Sequence, residues 1–161
     1  MGTIIVRNIT KDDNERVAMI IKNVLEDFNV PKTGSAYADD SLKDMYSTYN
    51  KPNTIYLVAE ENGMVMGCAG IAKLDNYEGN VCELQKMYIL KEGRSKGIGK
   101  KLMEECLAYA KDFGYDACYI ETMPNMDVAQ KMYKKYGFEY LSERMGDTGH
   151  SACPVWMLKK L

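Results

Sequence analysis

A chain of 161 residues, 46% apolar and 27% charged, carries enough apolar material for one domain with a proper core and has the composition of a soluble globular protein. Its net charge of −2 excludes nucleic acid as the main partner, because there is no basic excess with which to displace counterions. Five cysteines without a C-x-x-C pair, and a single histidine with only Cys153 near it, predict reduced thiols in a cytoplasmic protein and no metal site. No apolar run reaches membrane-spanning length and the N-terminus lacks a signal-peptide pattern, so no membrane partner is expected.

Ile4 to Val6 reads as a short strand. Thr10 with Asp13 three residues later is a capping-box signature, and Val17, Ile20, Ile21, Val24, Leu25 and Phe28 then recur at helical spacing up to a stop at Pro31 and Gly34. A polar loop over 32–40 carries Tyr37, Asp39 and Asp40, and Ser41 to about Thr48 reads as a second helix capped by Asp40 or Ser41. Ile55 to Ala59 and Met64 to Ala72 form two strands around Asn62-Gly63, a strong hairpin signal. Gly67 and Gly70 inside the second strand predict a bulge or a close backbone approach. Val81 to Leu90 is the next strand.

An amphipathic helix follows from Ile98 to Phe113, with Ile98, Leu102, Cys106, Ala110 and Phe113 on one stripe and Gly114 as its stop. Ala117 to Glu121 is a short strand. Pro124 and Asp127 open a last helix that Gly137 ends, and Phe138 to Leu141 and Val155 to Leu158 are closing strands. This order predicts an α/β fold with one mixed sheet, mostly antiparallel, and helices on both faces. The strands at 81–90 and 117–121 should be parallel neighbours joined by a right-handed crossover. No repeat, low-complexity tract or linker interrupts the chain, so 1–161 reads as a single domain.

Arg94-Ser95-Lys96-Gly97-Ile98-Gly99-Lys100 lies between the central strand and the long helix. The first N–H groups of a helix lack intrahelical partners, and the helix dipole places partial positive charge there. Glycine at 97 and 99 removes the Cβ atoms that would hold a phosphate away, and Arg94, Lys96 and Lys100 add positive charge. The spacing is neither a Walker A loop, since five residues on from Gly93 is Ile98, nor a dinucleotide fingerprint, whose last glycine position is Leu102.

The R-x-x-G-x-G turn, the preceding Glu83-Leu84-Gln85-Lys86-Met87-Tyr88-Ile89 and the later Ala129-x-x-x-Tyr133-x-x-x-Gly137-Phe138 together resemble the GCN5-related N-acetyltransferase (GNAT) family, over nearly the whole chain. One departure is Met126, where many members carry Asn; Asn125 sits one residue earlier. The resemblance implies acetyl-CoA as donor, without a metal, and an amine as acceptor. It implies a sheet that splays at a bulge near Met87–Tyr88, with the Met87 N–H facing the thioester oxygen. It places Met87, Tyr88 and Ile89, the turn residues 94–100, Asn125 and Ala129 against the cofactor. Tyr133 takes the family's acid position, to protonate the departing thiolate.

The amine must lose a proton, and Glu83, on the strand lining the split, is the preferred base, acting directly or through water. Its other reading is a carboxylate bonded at a strand end. Glu121, Asp39 and Asp40 are weaker candidates. His150 reads as structural, and Cys153 is not needed for direct transfer. Tyr37, Asp39 and Asp40 should attract the ammonium of a small cationic amine. Acetylation of a peptide or protein amine, and a non-catalytic acyl-CoA sensor, remain open alternatives. The protein is expected to be a monomer or homodimer.

Overall fold

The computed structural model describes residues 2–161. All seven strands join one sheet in the order β1-β2-β3-β4-β5-β7-β6. They are β1 Ile4–Asn8, β2 Ile55–Glu61, β3 Met64–Lys73, β4 Val81–Ile89, β5 Ala117–Thr122, β6 Glu139–Tyr140 and β7 Val155–Lys160. The helices are α1 Asn14–Asp27, the single turn α2 Met45–Thr48, α3 Ile98–Asp112 and α4 Asp127–Lys135. Every neighbouring pair is antiparallel except β4 and β5, which run parallel. The mixed α/β sheet is therefore the one the element order predicts. No helix among the described residues is long and apolar enough to cross a membrane.

α1 and α3 both pack on β3 and β4, one on each face of the sheet. That double cover explains why Ile55–Ala59 and Val65–Ile71 are buried without the alternation of a half-exposed strand. Between β2 and β3, Asn62 and Gly63 both adopt positive φ, 53° and 79°, as the favoured two-residue hairpin turn requires.

Three expectations for the first fifty residues need correction. The stop of α1 is not Pro31 or Gly34 but Asn29, whose φ of 54° turns the chain back; the Val30 N–H then bonds the Leu25 carbonyl at 2.9 Å. The 41–48 segment is not one helix. It divides into a 3-10 turn at Asp40–Lys43 and α2, capped by Asp44, whose carboxylate accepts from the Ser47 N–H at 3.1 Å. The 32–40 loop contains a further 3-10 turn, Ala36–Ala38. The capping box is present: the Asp13 carboxylate accepts from the Thr10 N–H at 2.7 Å and from its hydroxyl at 3.0 Å.

Two irregularities in β3 and β4 prepare the site. Gly70 faces Gln85 while Cys68 faces Tyr88, so two residues of β4, Lys86 and Met87, stand opposite the single Ala69 of β3. Lys86 adopts φ 49°, rare for a residue with a side chain, and the Tyr56 hydroxyl secures the kink by donating to the Lys86 carbonyl at 2.7 Å. The extra residue resets the alternation, so that Gln85 and Tyr88, three apart, share one face of the sheet.

Gly70 makes room for that support. A Cβ built there would overlap the Tyr56 ring and lie 2.7 Å from the Ile55 carbonyl oxygen. Gly70→Ala should therefore destabilise the fold by about 1–3 kcal/mol, the usual cost of overpacking. Urea denaturation at fixed pH measures it, and a midpoint equal to the parent's would mean that the strand yields without cost.

Candidate active site

β4 and β5 pair over only three residues, Val81 with Ala117, Cys82 with Cys118 and Glu83 with Tyr119. Beyond Glu83 they diverge. β5 continues to pair with β7 as far as Thr122, while the β5-side edge of β4 from Leu84 onward has no ladder partner. A cavity of about 570 Å³ fills the split. Leu84 and Lys86–Ile89 line one wall and Ile120–Met123 the other; the turn before α3 closes one end, and Phe28 of the α1 terminus and Ala129, Met132 and Tyr133 of α4 contribute the rest.

The turn is shaped for an anion. Ser95 and Gly97 have φ of 64° and 83°, and Gly97 is the N-cap of α3 without any side-chain cap, so the first N–H groups of the helix are left for a ligand. Arg94 is fixed by two contacts: its Nε donates to the Ile89 carbonyl at 3.1 Å, and its guanidinium lies 5.4 Å from the centre of the Phe28 ring. Its Nη2 is buried with no protein hydrogen-bond partner among the described residues. A buried, unpartnered guanidinium nitrogen beside uncapped helix N–H groups is the donor set a pyrophosphate needs, so the residues present fit a CoA phosphate.

The two glycines serve different ends. A Cβ at Gly97 would meet nothing within 4 Å, so its backbone angle is what demands glycine, whereas a Cβ at Gly99 would press on Ile89 at 3.2 Å and on the Met132 sulfur at 3.4 Å. Gly97→Val should weaken CoA binding by about tenfold or more through loss of the turn conformation, since a β-branched residue resists positive φ. Calorimetry with CoA measures it; unchanged affinity would mean that the phosphates bind elsewhere.

Of the residues expected at the cofactor, Met87, Tyr88, Ile89, Arg94, Ser95, Gly97, Ile98, Gly99, Lys100, Asn125 and Ala129 all line the cavity. Lys96 does not; its ammonium is held 2.7 Å from Glu61 at the end of β2. The Asn125 amide donates to the Phe28 carbonyl at 2.8 Å and so ties the α1 terminus to the loop before α4.

Tyr133 lines the cavity and is 6% exposed, and its hydroxyl has no protein hydrogen-bond partner among the described residues. Burial pushes its pKa up to about 12, so it keeps its proton at neutral pH. Glu83 sits at the last paired position before the split, 4% exposed, and is not itself part of the cavity wall. Burial, with Glu121 adding like charge, pushes its carboxyl up to about 7 against the hydrogen bond from Gln85. That bond, Gln85 Nε2 to Glu83 Oε1, is 2.7 Å long, and Gln85 is held in turn by the Tyr49 hydroxyl at 2.5 Å.

The three residues expected to receive the acceptor part company. Tyr37 donates to Glu26 at 2.8 Å and lies under Lys22 and Lys32, and Asp40 is a solvated carboxylate, its side chain 99% exposed. Both, together with one side of Asp39, line a separate hollow beside α1. The Asp39 carboxylate turns inward, where Lys86 Nζ and His150 Nε2 each lie 2.9 Å from one of its oxygens. Burial opposes its ionisation, but these two partners hold its pKa below the usual carboxylate value. Burial likewise works against a charge on His150, and Asp39 nevertheless holds the imidazole above its ordinary value.

Glu121, on the opposite wall, accepts from the Tyr119 hydroxyl at 2.7 Å and from the Thr148 hydroxyl. Lys86 passes unnoticed in the sequence as one more charged residue of a motif. The available signal is a lysine in the strand at the place where a bulge is expected.

Residues 12–138 match the family described as Acetyltransferase (GNAT) family. An uncharacterised N-acetyltransferase of Escherichia coli K12, YjgM, is 37% identical over 158 residues, which cover 98% of this chain and 95% of that one. The fold superimposes on an acetyltransferase of the GNAT family from Staphylococcus aureus Mu50 with a TM-score of 0.85 at 21% identity, covering 99% of each chain. It superimposes on YncA of Salmonella typhimurium, solved with its cofactor acetyl-CoA, with a TM-score of 0.80 at 18% identity, covering 98% of this chain and 94% of that one. The chain belongs to the GNAT family, as an N-acetyltransferase dependent on acetyl-CoA.

Proposed function

We propose that the acceptor is the primary amine of a small molecule, which attacks the thioester of acetyl-CoA directly. The observation that carries this reading is a tie between two loops next to Lys86 and Cys153 of the cleft. Asp39 and His150 join the 32–40 loop to the loop before β7, and a 2.8 Å hydrogen bond from the Ala152 N–H to the Gly34 carbonyl joins the same two segments. Loops tied together beside the cleft favour a small acceptor over a polypeptide, which needs an open groove on both sides.

The donor supplies an acetyl group activated as a thioester. The rest is assigned to this chain. The uncapped start of α3 and Arg94 hold the phosphates. The bulge directs the Met87 N–H toward the carbonyl oxygen, where negative charge develops. Glu83 takes the first proton of the ammonium through a water, since it stands just behind the cavity wall, and releases it to solvent. Tyr133 gives its proton to the departing thiolate and is reprotonated by the second proton that the nitrogen loses as it becomes the amide. The carbon–nitrogen bond forms as the carbon–sulfur bond breaks, and CoA leaves as the free thiol.

Thiol release from acetyl-CoA, measured against polyamines, amino acids, aminoglycosides and short peptides, tests the reading. Turnover with at least one of the small amines, at least about tenfold above any peptide, is the expected result. Turnover confined to peptides overturns it. CoA binding without thiol release in the presence of any amine would make the protein a sensor.

A further inference from the structure

The cleft holds a cation that acetyl transfer does not require. Lys86 is buried, its side chain 8% exposed, and it lines the cavity just past the point where β4 and β5 part. An ammonium has three protons to donate, and Lys86 has one protein partner among the described residues, the Asp39 oxygen at 2.9 Å. Two donor positions of a nine-tenths buried charge are thus left to whatever enters. The kink that puts Lys86 there is costly, because a side-chain-bearing residue at φ 49° is strained, and it is maintained by a dedicated hydrogen bond from Tyr56.

The other charged groups around it do not use up this cation. Asp39 is shared, since His150 Nε2 lies 2.9 Å from the same oxygen. Glu121 on the far wall is already bonded by the Tyr119 and Thr148 hydroxyls. Glu83 is hydrogen-bonded to Gln85 and buried behind the wall. Two basic side chains, of which Lys86 lines the cleft, therefore converge on the single Asp39 carboxylate beside it. A pocket built for a plain polyamine would not place a buried ammonium where the acceptor must sit, because like charges repel and neither would be solvated.

We propose that the acceptor carries a carboxylate beside its amine, as an amino acid does, and that Lys86, oriented by Asp39 and with His150 alongside, binds that carboxylate and so leaves the amine facing the thioester. The proposal rests on reading the cleft as a site for a small amine and narrows it to one substrate class. It also reverses the expectation that this region attracts a cation, since the carboxylate meant to do so is already engaged by Lys86 and His150.

The test uses matched sets of acceptors: each common amino acid, its α-carboxamide, and the amine left after removal of the carboxyl group. Thiol release from acetyl-CoA gives kcat/KM for each. At least one amino acid should exceed both of its neutral counterparts by about tenfold or more, the scale of losing a charge-assisted hydrogen bond in a buried site. Lys86→Met should erase most of that preference by raising KM for the acid, and Lys86→Arg should restore part of it. Calorimetry with CoA and the melting temperature of each variant establish that the cleft is still formed.

Carboxamides or decarboxylated amines turning over as well as their acids would overturn the proposal while leaving the small-amine reading intact. A preference for the acid that survives in a folded Lys86→Met would overturn the assignment to Lys86. Absence of turnover with every small amine would overturn both readings together.

Discussion

Glu83→Gln should lower kcat/KM at pH 7 by about 10²-fold or more, the scale of losing a general base, and the deficit should shrink at high pH. The reason is a matching of proton affinities. The ammonium of an ordinary amine acceptor has a pKa near ~10, so at neutral pH the enzyme must remove a proton before attack. Burial, helped by Glu121, pushes the Glu83 carboxyl up to about 7, which makes it a far better acceptor at neutral pH than a solvated carboxylate. The parent's kcat/KM should rise as pH passes upward through about 7, because only the ionised form accepts a proton, and the variant should lack that inflection. At high pH more of the substrate arrives already deprotonated and the two profiles should converge.

Gln is isosteric and its amide oxygen can still accept from Gln85 Nε2, so CoA affinity should be retained. Stability supplies an independent check. A carboxyl whose pKa is raised on folding binds more protons in the folded than in the unfolded state, so its contribution is complete in acid, below the ordinary carboxylate range. It is lost as pH rises through about 7. Glu83→Gln should remove that loss and narrow the stability gap between pH 5 and pH 8. A pH–rate profile of unchanged shape would transfer the role to Glu121 or to bulk water.

Local signals in the sequence are enough to find the strand, turn and helix that position the phosphate site. Glycine at 97, helical periodicity from Ile98 and the apolar run of β4 each act within a few residues. The bulge lies at Lys86–Met87, within one residue of its expected place, because the whole hairpin and strand order fix the register there. What the sequence hides are contacts made at long range. Asp39, Lys86 and His150 come from two loops and a strand bulge, and no periodicity links them. Tyr37, Asp39 and Asp40 all border the outer hollow, yet only the Asp39 carboxylate also reaches Lys86 and His150, and no spacing in the sequence singles it out from its neighbours. The end of α1 departs from expectation for a smaller reason: Asn29 takes up a left-handed conformation and stops the helix ahead of the more conspicuous Pro31 and Gly34.

Tyr133→Phe should lower turnover by about 10²-fold or more while leaving CoA affinity within about twofold of the parent. Tyr133 lies on α4 one helical turn after Ala129, so both present the same face to the cavity, and the small side chain of Ala129 leaves space along the helix beside the phenol. Its ring is already seated without help from the hydroxyl: it packs edge-on against the fully buried Phe138, with centroids 6.0 Å apart, and the Tyr133 carbonyl accepts from the Phe138 N–H at 3.0 Å. The hydroxyl itself has no protein partner among the described residues, so its removal breaks no structural bond, and a phenylalanine should keep the same rotamer and the same melting temperature within a degree or so. A phenol that stays protonated up to about pH 12 is a poor acid in bulk terms, but the thiolate it faces leaves into a buried site where an unsolvated charge is costly, and proton donation removes that charge. The effect should therefore fall on kcat and kcat/KM alike, as for an interaction made only in the transition state. Steady-state kinetics with a confirmed acceptor decide it. Turnover within about twofold of the parent would make Tyr133 a packing residue of α4 and leave protonation of the thiolate to water.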